Sequence, residues 1–135
     1  MENLFNIMYN TLIQAGYIVT EEKNLDFVHP DGSFYHFKEY NLSIPGIKYY
    51  SNPIMKADII ELRLRYKNNN PDVFFLTYYS SIQNNIAHNQ HFLTSELSNY
   101  EERYLKVLKI VTKFPRIIKK QAIKRKIKQI EKEFN

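Results

Sequence analysis

The chain contains no cysteine and no tryptophan, and only three glycines and five prolines among 135 residues. Without thiols there are no disulfides, thiolate nucleophiles, iron–sulfur clusters or cysteine-bearing zinc sites. With so little Gly and Pro, and with 44% hydrophobic and 24% charged residues, the chain is neither fibrous nor low-complexity. One ordinary folded domain is expected. Uncharged apolar runs last only a few residues, so no segment has the length to cross a bilayer. The opening MENLFNIMYN lacks the basic-then-apolar order of a secretory signal. A cytoplasmic, intracellular protein without membrane insertion is therefore expected. P-loop, dinucleotide, zinc-protease and G-x-S-x-G motifs are all absent, so the sequence assigns no catalytic residue, no metal and no cofactor. A non-enzymatic role is expected.

What is abundant is Asn (14) and Tyr (11), a usage that an AT-rich genome produces without functional selection. Charge is more informative. Residues 1–100 hold 7 Lys and Arg against 10 Asp and Glu, net −3, whereas residues 101–135 hold 12 against 4, net +8. A charge distribution so one-ended speaks of partners rather than of fold.

Apolar positions Leu4, Ile7, Met8, Leu12 and Ala15 recur every three or four residues and predict a helix over 2–15, with Gly16 as its left-handed cap. Three strands are expected over 17–20, 25–28 and 33–40, the last two joined by a hairpin at His29-Pro30-Asp31-Gly32-Ser33. Residues 41–56 carry Pro45, Gly46 and Pro53 and read as a loop crossing the molecule. In 58–66 the alternation of Ile60, Leu62, Leu64 and Tyr66 with Glu61, Arg63 and Arg65 predicts a half-exposed strand. A turn follows over 67–72, then a strand over 73–79 apolar enough to be covered on both faces. A helix is expected over 82–93. Another follows a capping box of Ser98 and Glu101 and runs to Phe114, where Pro115 must end or kink it. A last helix starts at Arg116. The fold class is α+β: an N-terminal helix, an antiparallel sheet of about five strands and two or three C-terminal helices. Residues 1–114 form the core and residues 115–135 a basic amphipathic helix appended to it.

Lys119, Lys120, Lys124, Arg125, Lys126 and Lys128 concentrate positive charge on that last helix, the pattern that binds phosphates with release of counterions. Its apolar side, Ile123, Ile127, Ile130 and Phe134, can equally make a homodimer seam. A basic helix with an apolar face is also the signature of a membrane-surface segment, though here without Trp. Arg63 and Arg65 point the same way along one strand. If Tyr35 or Tyr78 shares that face, arginines and rings together suit single-stranded nucleic acid. His88 and His91, three apart on the expected helix, have the spacing of a metal pair but no third ligand nearby.

Two local resemblances go beyond this. Leu25-Asp26-Phe27-Val28, Gly32 and Phe34-Tyr35-His36-Phe37-Lys38 resemble the start of PD-(D/E)XK nucleases, in which an Asp on one strand and an acid-x-Lys on the next hold Mg²⁺. Asp26 and Lys38 match that pattern, while the acid position is His36. Lys119-Lys120-Gln121-Ala122 resembles the basic patch opening the last helix of double-stranded-RNA-binding domains, with a spacing that departs one residue later.

The leading expectation is a small accessory protein that binds nucleic acid or a nucleoprotein complex through its last helix, with Arg63 and Arg65 as a second contact. The runner-up is a protein-interaction module, such as an inhibitor or immunity-type protein of a phage or mobile element, using a Tyr-rich loop at 40–50 and the helical end on a single protein partner. The third is a degenerate nuclease with Asp26 and Lys38 as its acting pair.

Overall fold

The computed structural model of the chain describes residues 1–47 and 58–134. The order is α1 (Glu2–Ala15), β1 (Ile18–Val28), β2 (Phe34–Ser43), β3 (Ile60–Lys67), β4 (Asn70–Gln83), β5 (Ile86–Thr94), α2 (Tyr100–Val111) and α3 (Phe114–Phe134). The five strands pair antiparallel in the order β1-β2-β3-β4-β5, each beside its sequence neighbour. The α+β expectation holds, with two C-terminal helices.

Three tight connections make the meander. At the first, Gly32 adopts φ 89°, and His29 N–H donates to the Ser33 carbonyl at 2.8 Å, as the hairpin chemistry of that segment requires. The other two are Asn pairs. Asn68 and Asn69 have φ 49° and 68°, and Asn84 and Asn85 φ 54° and 60°. Positive φ at both central residues turns the chain with the twist of the flanking strands, and Asn tolerates it. The second pair corrects the helix expected over 82–93. Residues 86–94 are a strand because the Asn84-Asn85 turn sends the chain straight back along β4.

Two further expectations are revised. The strands expected over 17–20 and 25–28 are one, β1, carried past Thr20 by a bulge between Val19 and Glu21. The chain entering the 41–56 loop stays in β2 to Ser43, and of the loop's apolar residues Ile44 is buried and Ile47 packs on the core. Tyr49, Tyr50 and Pro53 lie outside the described residues.

Register assigns the two faces. Leu62 pairs with Tyr40 and Leu76, and Leu64 with Lys38 and Phe74, so these side chains share one side. There α1 and α2 bury Leu42, Leu62, Leu64, Phe74 and Leu76 under Phe5, Met8, Leu12, Tyr104 and Val107. Each fully buried Leu or Phe side chain contributes about 1.5–3 kcal/mol. Among the described residues nothing forms a second layer on the opposite face. Val73 on that side is buried by neighbouring side chains and Phe75 is half-buried, so β4 is sealed by helices on one face alone.

Helix α1 ends where Gly16 takes φ 115°, with Gly16 and Tyr17 N–H donating to Ile13 and Leu12. Helix α2 begins at Asn99 in left-handed conformation with no side-chain cap, so Ser98 and Glu101 do not form the expected capping box. Pro115 acts as expected: α2 ends at Val111 and the proline occupies the first turn of α3. The residue whose N–H would bond Val111 in a continuous helix is Pro115, which has none. The buried Tyr17 hydroxyl donates to that carbonyl instead, at 2.7 Å, and burial holds the phenol far above its usual pKa. The Tyr104 hydroxyl likewise donates to the Phe74 carbonyl, which also receives Ser95 N–H. Tyr17→Phe is expected to cost about 1–3 kcal/mol, because it strands a buried acceptor. Tyr104→Phe should cost about 1 kcal/mol or less, since Phe74 keeps its other donor. Urea denaturation of the two variants checks that order.

Candidate functional site

Among the described residues, helix α3 touches the body through its first turns. Phe114 and Ile118 are buried, Ile117 is partly so, and Ile118 reaches to 3.7 Å of where a Cβ on Gly46 would stand. Beyond Gln121 every described residue is exposed. Arg116, Lys119, Lys120, Lys124, Arg125, Lys126, Lys128 and Lys132 are therefore all in water. None forms an ion pair with any described residue: the pairs present join Lys23, Arg63, Arg65, His29 and His36 to carboxylates of the sheet and its turns. A row of unpaired cations on a helix is free to meet an external polyanion without first breaking a bond at home.

Arg63 and Arg65 are placed differently. They lie together on the uncovered face, and Tyr35 and Phe37 share it while Tyr78 does not. Tyr78 pairs with Ile60 on the helix side and stacks on His91 at 5.0 Å. The Arg63 guanidinium lies over Phe37 at 4.9 Å, and that of Arg65 over Tyr35 at 5.3 Å and Phe75 at 5.8 Å. Phe27 stacks on Tyr35 and Phe37 at 5.1 and 6.0 Å, and Phe92 meets Phe75 at 6.2 Å. These phenylalanines were not singled out in the sequence. Their signal was strand parity, readable only once the register of β1 and β5 is known.

The charges of this face cancel. Asp72 Oδ2 accepts from Arg65 Nε and Nη2 at 2.9 and 2.6 Å. Glu39, buried, sits 3.6 Å from Arg63 and 3.9 Å from Lys23. Neighbouring Glu61 shares a hydrogen bond with Glu39, and that bond, desolvation and the Glu39 charge push its pKa up to about 7. The surface is aromatic, with Arg63 and Arg65 matched by carboxylates and Lys67 lying over the Tyr35 ring at 6.0 Å.

A third cluster sits at the helix-side edge of β1 and β2. Asp26, Phe34, His36, Lys38, Tyr66 and Asn69 line a pocket. Asp26 bonds His36 Nδ1, and the Tyr66 hydroxyl donates to Glu2, which with burial raises its pKa to about 12. The nuclease pair is thus brought to one pocket, but Lys38 lies over the Tyr40 ring at 5.5 Å and Asp26 is the one carboxylate lining it. Among the described residues no three His, Asp or Glu are grouped to hold a metal. That donor set is too poor in oxygen for the Mg²⁺ site of the resemblance. His88 and His91 pair with Ser81 and Tyr78 on a strand, where a spacing of three puts them on opposite faces, so they make no metal pair. Among the described residues no helix is long and apolar enough to cross a membrane.

Glu61 gives this face a pH signature. Its native pKa lies above the ordinary 4.5, so the folded state keeps a proton that the unfolded state loses. Stability should be fully present below about pH 4.5 and fall as pH rises to about 7. Glu61→Gln should flatten that fall, raising the melting temperature at pH 8 by a few degrees and leaving it almost unchanged at pH 4, as read by thermal scans. Comparison with known proteins returns no match: no family model, no curated protein and no solved structure is significantly similar to this chain.

Proposed function

We propose that this chain is a non-enzymatic accessory protein that binds nucleic acid, free or within a nucleoprotein complex, through α3. Lys119, Lys120, Lys124, Arg125, Lys126 and Lys128 are the phosphate-facing residues. The observation that carries this reading is that every Lys and Arg of α3 is exposed and unpaired with any described carboxylate. Each such side chain meets a phosphate at little desolvation cost and releases a condensed counterion, which gives affinity and a steep salt dependence without base recognition. Arg63 and Arg65 enter this reading only through the rings beneath them, since Glu39 and Asp72 already neutralise them.

The test is fluorescence anisotropy with a labelled duplex and a labelled single strand over a range of salt. Replacing Lys119, Lys120, Lys124 and Arg125 together by Ala should weaken binding and reduce the slope of log affinity against log salt by about 3–4 on duplex DNA. Unchanged affinity and slope remove the proposal.

A second reading, the protein-interaction module of inhibitor or immunity type, is favoured by the uncovered sheet face. Leu25, Phe27 and Phe92 stand exposed there among cancelled charges, and aromatic area of this kind binds proteins better than it binds phosphates. Of the surface first expected for it, residues 40–50, Tyr40 is buried beneath Phe5 and Tyr9, while Tyr49 and Tyr50 lie outside the described residues. Under this reading, affinity purification after nuclease treatment retains one stoichiometric protein, and Phe27→Ser with Phe92→Ser loses it. Retention of nothing once nucleic acid is digested counts against it.

A further inference from the structure

Helix α3 carries a feature that phosphate binding leaves unused. Ile123, Ile127, Ile130 and Phe134 are 52%, 51%, 49% and 85% exposed. Their direction follows from helix geometry. Ile123 comes nine residues after Phe114, and Ile127 nine after Ile118, and nine residues are about two and a half turns. The stripe therefore looks away from the side on which Phe114 and Ile118 are buried. The chain's own core cannot cover it without breaking the helix between 118 and 123, and α3 is unbroken from Phe114 to Phe134.

The spacing of the four residues, 4-3-4, is that of heptad positions d, a, d and a. Lys124 and Glu131 then fall at e on one flank, and Lys126 and Glu133 at g on the other. We propose that a second copy of this chain covers the stripe in an antiparallel two-helix seam, with Ile123 layered on Phe134 and Ile127 on Ile130 of the second copy. Charge complementarity selects both the occupant and the direction. In an antiparallel pair e faces e and g faces g, so Lys124 meets Glu131 and Lys126 meets Glu133, each twice by symmetry. In a parallel pair g faces the e five residues on, which joins Lys126 to Glu131 but sets Lys119 against Lys124. An anionic membrane fits less well, because Glu131 and Glu133 would be pressed against the headgroups beside the stripe. The seam engages Lys124 and Lys126, two of the phosphate-facing residues, and leaves Arg125, Lys128 and Lys132 on the outer side of the helix; it rests on the spacing and charge of α3 and does not depend on the proposed function.

The seam is short, so the dimer forms at high protein concentration. Light scattering and sedimentation of the whole chain, from low micromolar to near millimolar, should show the mass rising from 16.3 kDa toward twice that value. Ile127→Asp should hold the monomer mass throughout, and because Ile127 is exposed in the monomer, its thermal melt at low concentration should match that of the parent chain. The absence of native cysteine makes introduced ones unambiguous. A mixture of Ile123→Cys and Phe134→Cys proteins should oxidise to the mixed dimer, and Ile123→Cys alone should not cross-link. A monomer at every concentration overturns the proposal, as does a dimer that survives Ile127→Asp. An efficient 123-to-123 disulfide overturns the antiparallel direction. A chain that stays monomeric yet co-sediments with phosphatidylserine vesicles assigns the stripe to lipid.

Discussion

A layer of two helices can dry one face of a five-stranded sheet, and α1 and α2 are committed to the face that carries Leu62, Leu64, Phe74 and Leu76. Everything outside that layer is arranged around this limit. The uncovered face protects itself by laying Arg63 and Arg65 over Phe37, Tyr35 and Phe75, which shelters ring surface beneath aliphatic stems and guanidinium planes. Edge strand β1 is exposed along its whole length. Beyond its first turns the third helix covers neither face, and its described residues from 122 onward are exposed. Pro115 separates it from α2, the Tyr17 hydroxyl satisfies the carbonyl left behind, and Phe114, Ile117 and Ile118 anchor it.

The same asymmetry sorts the cations. Those on the sheet have cross-strand neighbours at fixed distance, and Glu39 and Asp72 stand where Arg63 and Arg65 need them. Those on α3 face no other described element, and the helix carries just two carboxylates, Glu131 and Glu133, both near its end. The basic charge of the chain thus gathers on the element least engaged with the rest of the molecule. That is where a polyanion would meet the least competition, and where association would be most sensitive to salt.

Much of this was legible in the sequence because it rests on local rules. The spacing of Leu4, Met8 and Leu12, the His29–Ser33 turn, the alternation through Leu62 and Leu64 and the stop at Pro115 each depend on neighbours within a few residues. The charge of the last helix was equally plain. Residues 82–93 suit a helix as well as a strand by apolar spacing, and what decides between them is the turn at Asn84-Asn85, a feature of two residues that periodicity does not register. The aromatic face was hidden for a different reason. Whether Tyr35 or Tyr78 joins Arg65 depends on pairing register between strands far apart in sequence, which single-strand parity does not supply. The neutralisation of Arg63 and Arg65 was hidden likewise, since Glu39 lies 24 residues from Arg63.

The most direct measurement is amide chemical-shift mapping of the isotope-labelled chain during titration with a short oligonucleotide at low salt. The account predicts perturbations concentrated on residues 116–132 and fading as salt is added, with the amides of β3 and β4 little moved. Saturable shifts confined to the sheet with α3 unchanged, or no shifts at all, would contradict it.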